Sequence, residues 1–205
     1  MADGLKIFND SGTIQIDETY SNLVLIEKKT VTIALPVTTA YDYIASGDVV
    51  AIAVKCYPET FTTTAVSFSS GVWVYRLSFY NNPLTTGTCT FTIYAFGKVP
   101  TPSEDFGLAV YNASGGLVYH SQMKPLRILA VLGGASFYSA PVGRTVAAMF
   151  LSLSMYSAAG PPVTFETWSL RAPGNYIEPI LLTLGAGSLG LVRNGQYAAV
   201  DVTHY

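Results

Sequence analysis

Hydrophobic and polar residues alternate along short segments of this chain, and Gly, Asn, Pro and Ser cluster between them. A period of two is typical of strands with one buried face, and no segment combines helical periodicity with capping residues. The pattern therefore predicts an all-β protein, with residues 147–155 as the one run that comes close to a helical pattern. The predicted strands are residues 5–8, 13–16, 22–35, 48–56, 65–69, 72–80, 88–98, 126–132, 146–156, 163–170, 177–184, 188–192 and 196–203.

Residues 4–26 have a close copy in residues 107–129, which aligns without a gap and keeps six of 23 residues identical. In both copies Asn comes first and Gly last in the turn between two short strands, as a β-hairpin requires. The pattern Trp-x-x-Arg also occurs twice, starting at Trp73 and Trp168. Chance convergence of two hairpins is the alternative explanation for these likenesses.

The repeat predicts two tandem, internally duplicated antiparallel β-sandwich-like domains. The first domain is predicted at residues 1–99 and the second at residues 106–205. A linker at residues 100–105 separates them, because prolines with small polar neighbours precede the second copy.

Only 12% of the residues are charged, whereas 50% are hydrophobic, and the net charge is −2. Without a basic patch, we expect no binding to nucleic acid. A surface so poor in charge is typical of proteins covered by partner subunits, which predicts a homo-oligomer. No secretory signal is visible, and no apolar run is long enough to insert into a membrane.

Two cysteines, Cys56 and Cys89, are too few for a disulfide-dense scaffold or a zinc site. We interpret both as reduced, half-buried strand residues. Because both lie in the first half and could occupy neighbouring strands, a disulfide between them stays open.

The sequence contains no recognisable catalytic arrangement. His120 and His204 have no frame of nucleophile and orienting acid around them, and we expect His120 to be a solvated residue at a strand end. Paired carboxylates such as Glu166 and Asp201 have nothing that singles them out. The glycine-rich residues 185–190 lack the Lys-Ser/Thr of a phosphate loop. We therefore expect no enzyme activity, no cofactor and no metal site.

Aromatic residues in predicted loops are the remaining candidates for binding. Residues 36–46 are predicted to be a loop that carries Tyr41 and Tyr43, and residues 133–143 a loop of small residues that carries Phe137 and Tyr138. Tyr176 lies in a further loop. Such side chains can cap the core, anchor a protein interface or stack on a glycan, and the sequence leaves these three alternatives open.

Both copies of the repeat resemble the start of small tail proteins of tailed bacteriophages. In that family the chain begins Gly-Leu-x-aliphatic-aromatic-Asn-x-x-Gly and continues with an alternating strand and an Asp or Ser. This chain departs from the pattern at His120, where an acidic residue is usual. The matching residues are Gly4, Leu5, Ile7, Phe8, Asn9, Gly12, Ile14 and Asp17 in the first copy and Gly107, Leu108, Val110, Tyr111, Asn112, Gly115, Leu117 and Ser121 in the second.

The resemblance implies a non-enzymatic virion component at the tail tip, baseplate or fibre junction, made in the host cytoplasm. Its expected partners are other tail proteins and further copies of itself, in a ring or a trimer. The main alternative is a receptor- or carbohydrate-binding module of the tail, with a host surface glycan as partner. A head decoration protein is a third possibility.

Overall fold

The computed structural model describes residues 6–8, 14–17, 22–35, 38–80, 87–98, 106–133, 135–152, 156–158, 164–186 and 195–205. Throughout these ranges the secondary structure consists of strands, with no helix. The strands are β1 (Lys6–Phe8), β2 (Ile14–Asp17), β3 (Val24–Leu35), β4 (Thr38–Ser46), β5 (Val49–Ser69), β6 (Val72–Tyr80), β7 (Gly87–Gly97), β8 (Ala109–Tyr111), β9 (Leu117–His120), β10 (Ile128–Gly133), β11 (Tyr138–Ser139), β12 (Val146–Ser152), β13 (Tyr156–Ala158), β14 (Thr164–Ala172), β15 (Tyr176–Ala186) and β16 (Gln196–Asp201).

The all-β prediction is confirmed, and residues 146–152 form a strand rather than a helix. The predicted loop at residues 36–46 was wrong, because residues 38–46 form strand β4 and pair along their whole length with β6. The predicted linker at residues 100–105 and the predicted strand at residues 188–192 lie outside the described residues. Where the chain is described, no helix has the length and apolar character needed to span a membrane.

Twelve strands form one antiparallel sheet around β5, which is 21 residues long. The first part of β5 pairs with β7, and its second part forms a hairpin with β6. Ser70 and Gly71 make the turn of this hairpin, and both have positive φ angles, 51° and 80°, as tight hairpin turns require. On its other edge β5 pairs with β12 and β14, so hydrogen bonding continues from the first half of the chain into the second.

The two halves use the same plan of strand pairing. In residues 1–99 the sheet pairs are β3 with β7, β5 with β7, β5 with β6 and β4 with β6. In residues 106–205 the corresponding pairs are β10 with β16, β12 with β16, β14 with β15 and β11 with β15. Here β12 and β14 together take the place of the single long strand β5. β13, which pairs with β14, is an addition to the second half.

Irregularities in the strands also match between the halves. Bulges interrupt β3 between Leu25 and Glu27 and β10 between Ile128 and Ala130, which are aligned positions of the repeat. The separate hairpins β1–β2 and β8–β9 pair in the same register, with a bulge at the same step. Because a bulge displaces every later side chain in its strand, matched bulges keep the same positions facing the core.

The halves meet where β3 and the segment before β10 begin. The Leu126 amide donates a hydrogen bond of 2.7 Å to the Leu23 carbonyl, and the Leu25 amide donates one of 2.8 Å to the Lys124 carbonyl. Residues 124–126 lie just before β10, and Pro125 forms an isolated antiparallel bridge with Val24 at the start of β3. The sheet pairings between β3 and β10 run in the order β3, β7, β5, β12, β16 and β10.

Buried hydrophobic residues form two clusters on opposite faces of these strands. The smaller cluster draws its buried residues mainly from β5, β7, β12 and β16. The larger cluster fills the other face, where Phe79 of β6 lies 4.3 Å from Phe91 of β7 between ring centroids. Matched positions of the halves meet in the smaller cluster: Ala53 and Met149, Tyr94 and Ala198, and Phe96 and Val200.

Candidate binding sites

The two candidate tyrosines of the first half lie on strand β4, not in a loop. Tyr43 is fully buried, and its hydroxyl donates a hydrogen bond of 2.5 Å to Glu27 Oε2. Burial and the neighbouring Glu27 carboxylate both raise the pKa of Tyr43 above its usual value of 10.0. Tyr41 is half-buried and meets Phe91 edge-on at 5.4 Å between centroids. Both rings therefore pack against the core.

The three candidate aromatics of the second half lie close together. Phe137 stacks on Tyr176, with a centroid separation of 5.6 Å and an angle of 26° between the rings, and Phe137 is 58% exposed. The pairing of β11 with β15 holds Ser139 opposite Tyr176 and so fixes this geometry. Tyr138 packs against the large core cluster instead. A partly exposed stacked pair of this kind offers a flat apolar surface for a sugar ring or a protein.

A second aromatic patch lies at the end of the β5–β6 hairpin. Phe68 and Trp73 pack at 4.8 Å between centroids, and Val66 and Phe68 are more than half exposed. These residues were missed as candidates because they lie in regular alternating strands. Only the structure shows that the alternation continues past the end of the buried core.

Strand β10 forms an apolar edge of the sheet. Ile128, Leu129 and Val131 are 48%, 38% and 56% exposed, and the strand has no charged residue. Among the described strands, β10 pairs only with β16, and the main-chain groups of its other edge have no strand beside them. Uncovered apolar edges are sites at which a further strand can add.

A cavity of 630 Å³ lies between the β8–β9 hairpin and the large sheet. Its charged groups are Arg127, Arg144 and Asp201, and Arg144 Nη1 lies 2.7 Å from Asp201 Oδ2. The Asp201 side chain is only 3% exposed and also accepts hydrogen bonds from the Thr203 amide and hydroxyl. Burial raises the pKa of Asp201, but the Thr203 hydrogen bonds and the two arginines outweigh it and leave that pKa below 3.8.

His120 is buried, with 4% of its surface exposed, so the predicted solvated position was wrong. Its ring packs beneath Gly107, and its Nδ1 accepts a 3.4 Å hydrogen bond from the Gln122 amide. The pairing of β8 with β9 holds it in this position. No group of His, Cys, Asp or Glu within the described ranges is arranged to hold a metal ion.

Cys56 and Cys89 are both buried and form no disulfide, and their sulfur atoms lie 3.6 Å apart. This is much longer than the roughly 2.05 Å of a disulfide bond. The interpretation of both as reduced strand residues is confirmed, but the expected half-buried positions were wrong, because the pairing of β5 with β7 brings both side chains into the core.

No protein-family model, curated protein or solved structure matches the chain.

Proposed function

We propose that this chain is a non-enzymatic structural protein of a bacteriophage virion. It acts at the tail tip, baseplate or fibre junction and assembles with copies of itself and with other tail proteins. The observation that carries this proposal is the exposed, uncharged edge of β10 in a chain that is already poor in charge. The resemblance of both hairpins to phage tail proteins directs it to the virion.

The partner on the β10 edge is a second copy of this chain. β10 is apolar along its whole length, so two copies related by a two-fold axis bring like residues together in an antiparallel pair. The chain already uses this arrangement internally, because Leu23 and Leu126, at aligned positions of the repeat, face each other across the junction of the halves. A different protein with a charged edge strand would find no opposite charge on β10 to pair with.

The proposal includes an origin by duplication, with each half a sandwich-like domain. The matched order of strand pairs, the bulges at aligned residues and the shared hairpin register support it. Duplication explains why the halves associate through equivalent positions: a dimer of identical domains that became one chain keeps its two-fold contacts.

Two measurements test the proposal. Sedimentation equilibrium of the purified chain over a wide concentration range should show reversible self-association. Mass spectrometry of purified particles, followed by gold labelling with an antibody to this chain, should find it on the tail. A monomer at all concentrations contradicts the assembly mode, absence from particles contradicts the virion role, and label on the capsid would favour head decoration.

A second candidate function is the binding of a host surface glycan, which the exposed stack of Phe137 on Tyr176 favours. Glycan arrays with the wild-type chain and the Phe137→Ala variant test it. Tyr111→Ala is a suitable control, because Tyr111 is 57% exposed on a separate hairpin. Glycan binding that is lost only in Phe137→Ala supports this function, and silence on the array counts against it.

A further inference from the structure

The cavity beside the β8–β9 hairpin differs from the corresponding place in the first half. The Thr145 carbonyl accepts the Val202 amide just as the Asp48 carbonyl accepts the Lys98 amide, so the backbones correspond. In the first half the three positions are apolar or glycine, and in the second half all three are charged. The corresponding pairs are Val24 and Arg127, Gly47 and Arg144, and Gly97 and Asp201.

The first half leaves no room for a side chain at Gly97. A Cβ atom on Gly97 would come within 2.1 Å of the Asp48 carbonyl oxygen, and Val24 is 2% exposed. The shared fold therefore does not require a charged cavity, and its charge is a property of the second half alone. Only 12% of the residues are charged, so three charged side chains around one cavity are a high local density of charge for this chain.

The buried carboxylate holds one of the arginines in place. Asp201 is fixed by Thr203 on one oxygen and binds Arg144 with the other. The Arg144 side chain is still 43% exposed, so part of its guanidinium group stays open to a ligand. Arg127 lines the same cavity. Two guanidinium groups against one carboxylate leave one positive charge for a ligand to neutralise.

We infer that this cavity is a binding site for a small carboxylate. The two oxygens of a carboxylate match the parallel N–H donors of a guanidinium group, and its single negative charge equals the excess in the cavity. A phosphate carries nearly two negative charges at neutral pH and fits this balance less well. Asp201 is a positioning residue here, because it acts through Arg144.

The rest of the lining admits two sources of the carboxylate. Asn22, Tyr119 and Ser121 can hydrogen bond to the hydroxyls of an acidic sugar, whereas Met123, Leu126 and Leu129 suit the apolar body of a free organic acid. The volume of 630 Å³ is in the usual range for a small-molecule site. The carboxylate is common to both.

Isothermal titration calorimetry of the full chain with four probes tests the inference. The carboxylates are glucuronate and benzoate, and their neutral counterparts are glucose and benzamide. We expect at least one carboxylate to bind with a Kd of about 1 mM or below, and at least tenfold more tightly than its neutral counterpart. The carboxylate that binds identifies the source, and equal affinity for charged and neutral probes would overturn the inference.

Three arginine variants make the result specific to the cavity. Arg127→Gln should weaken carboxylate binding by about tenfold or more, and Arg127→Lys, which keeps the charge but not the paired donors, should weaken it less. Arg76→Gln is the matched control, because Arg76 lies on β6 and pairs with Asp42. Thermal unfolding confirms that each variant is folded. An equal loss in Arg127→Gln and Arg76→Gln would refute the site, whatever the role of the chain in a virion.

Discussion

The two halves of this protein share a plan of strand pairing but place their charges differently. In the first half Glu27, Lys28 and Lys29 lie on β3, at an edge of the sheet, and the aligned positions of β10 hold Ala130, Val131 and Leu132. In the second half three charged residues, Arg127, Arg144 and Asp201, line the cavity instead. Charge on an edge strand discourages the addition of further strands. The β3 edge therefore carries charges that discourage a further strand, and the β10 edge carries none.

The largest expected effect comes from adding a side chain at Gly97, the first-half position that corresponds to Asp201. The variant Gly97→Ala brings a Cβ atom to within 2.1 Å of the Asp48 carbonyl oxygen, which belongs to rigid backbone. We expect it to lower the free energy of unfolding by about 3 kcal/mol, as severe overpacking does. Urea unfolding followed by circular dichroism measures the change.

Gly133→Ala is the control for this substitution, because the nearest atom to its added Cβ is Ser136 Oγ at 4.0 Å. It should be almost neutral. If Gly97→Ala is equally neutral, the first half can open at this position, and the contrast between its closed site and the cavity is lost.

The next effect concerns Asp201, the buried charge found only in the second half. Asp201→Asn should cost about 2 kcal/mol at pH 7, because a buried, hydrogen-bonded carboxylate loses its charge beside two arginines. The folded-state pKa is below 3.8, so the carboxylate stabilises the fold fully above about pH 4. That contribution is lost as the pH falls through the folded pKa. Unfolding curves from pH 7 to pH 2 should therefore converge for the two proteins.

Asp42→Asn provides the comparison on the surface. Asp42 also pairs with an arginine, but both side chains are well exposed, and the substitution should change stability little at any pH. A gap between wild type and Asp201→Asn that stays constant down to pH 2 would contradict the assigned role of the carboxylate.

Local patterns predicted much of the fold but few of the contacts between distant segments. The paired strands of both short hairpins followed from the alternation around Asn-x-Ser-Gly. β4 was missed because Ile44, an apolar residue, faces solvent while Tyr43 and Ala45 are buried, which hides the alternation. The pairing of β5 with β12 and β14 joins segments that local patterns cannot relate. The buried position of His120 likewise depends on how Gly107 packs against it.

The candidate sites were likewise predicted only as far as local patterns reach. Phe137 and Tyr176 were predicted as separate loop aromatics, but Tyr176 lies on strand β15, and the two rings stack. Arg127 and Arg144 were missed, because isolated arginines in different parts of the chain carry no motif. The alignment of the repeat contained one usable signal, since Arg127 stands opposite Val24.

A charge on β10 should weaken the proposed self-association of the chain through this strand. Val131→Lys places a lysine where β3 has Lys28, and we expect self-association to weaken by about tenfold or more, or roughly 1.4 kcal/mol. Sedimentation equilibrium measures it. Ala34→Lys adds the same charge to an exposed position of β3 and should leave association unchanged. Equal effects of the two variants would point to net charge rather than to the β10 edge.

The smallest effect is the reverse change on β3. Lys28 donates a 2.7 Å hydrogen bond to the Tyr205 carbonyl and lies 5.6 Å from the centre of the Tyr94 ring, so Lys28→Val removes an edge charge with modest contacts. It should strengthen self-association several-fold, or by about 0.5–1 kcal/mol. The effect is small because Glu27 and Lys29 still place charge on the strand. Lys124→Val is the matched control, because it also removes a lysine that contacts an aromatic ring, but this lysine lies before β10 and not on an edge strand.

The double variant Lys28→Val/Val131→Lys then separates the two edges. If charge on the edge strand controls association, the double variant should associate more strongly than Val131→Lys alone, because β3 has become the more open edge. Identical association constants for those two proteins would mean that β3 is kept apart by its backbone shape and not by its lysine. In that case the difference between the halves lies in geometry, and charge only accompanies it.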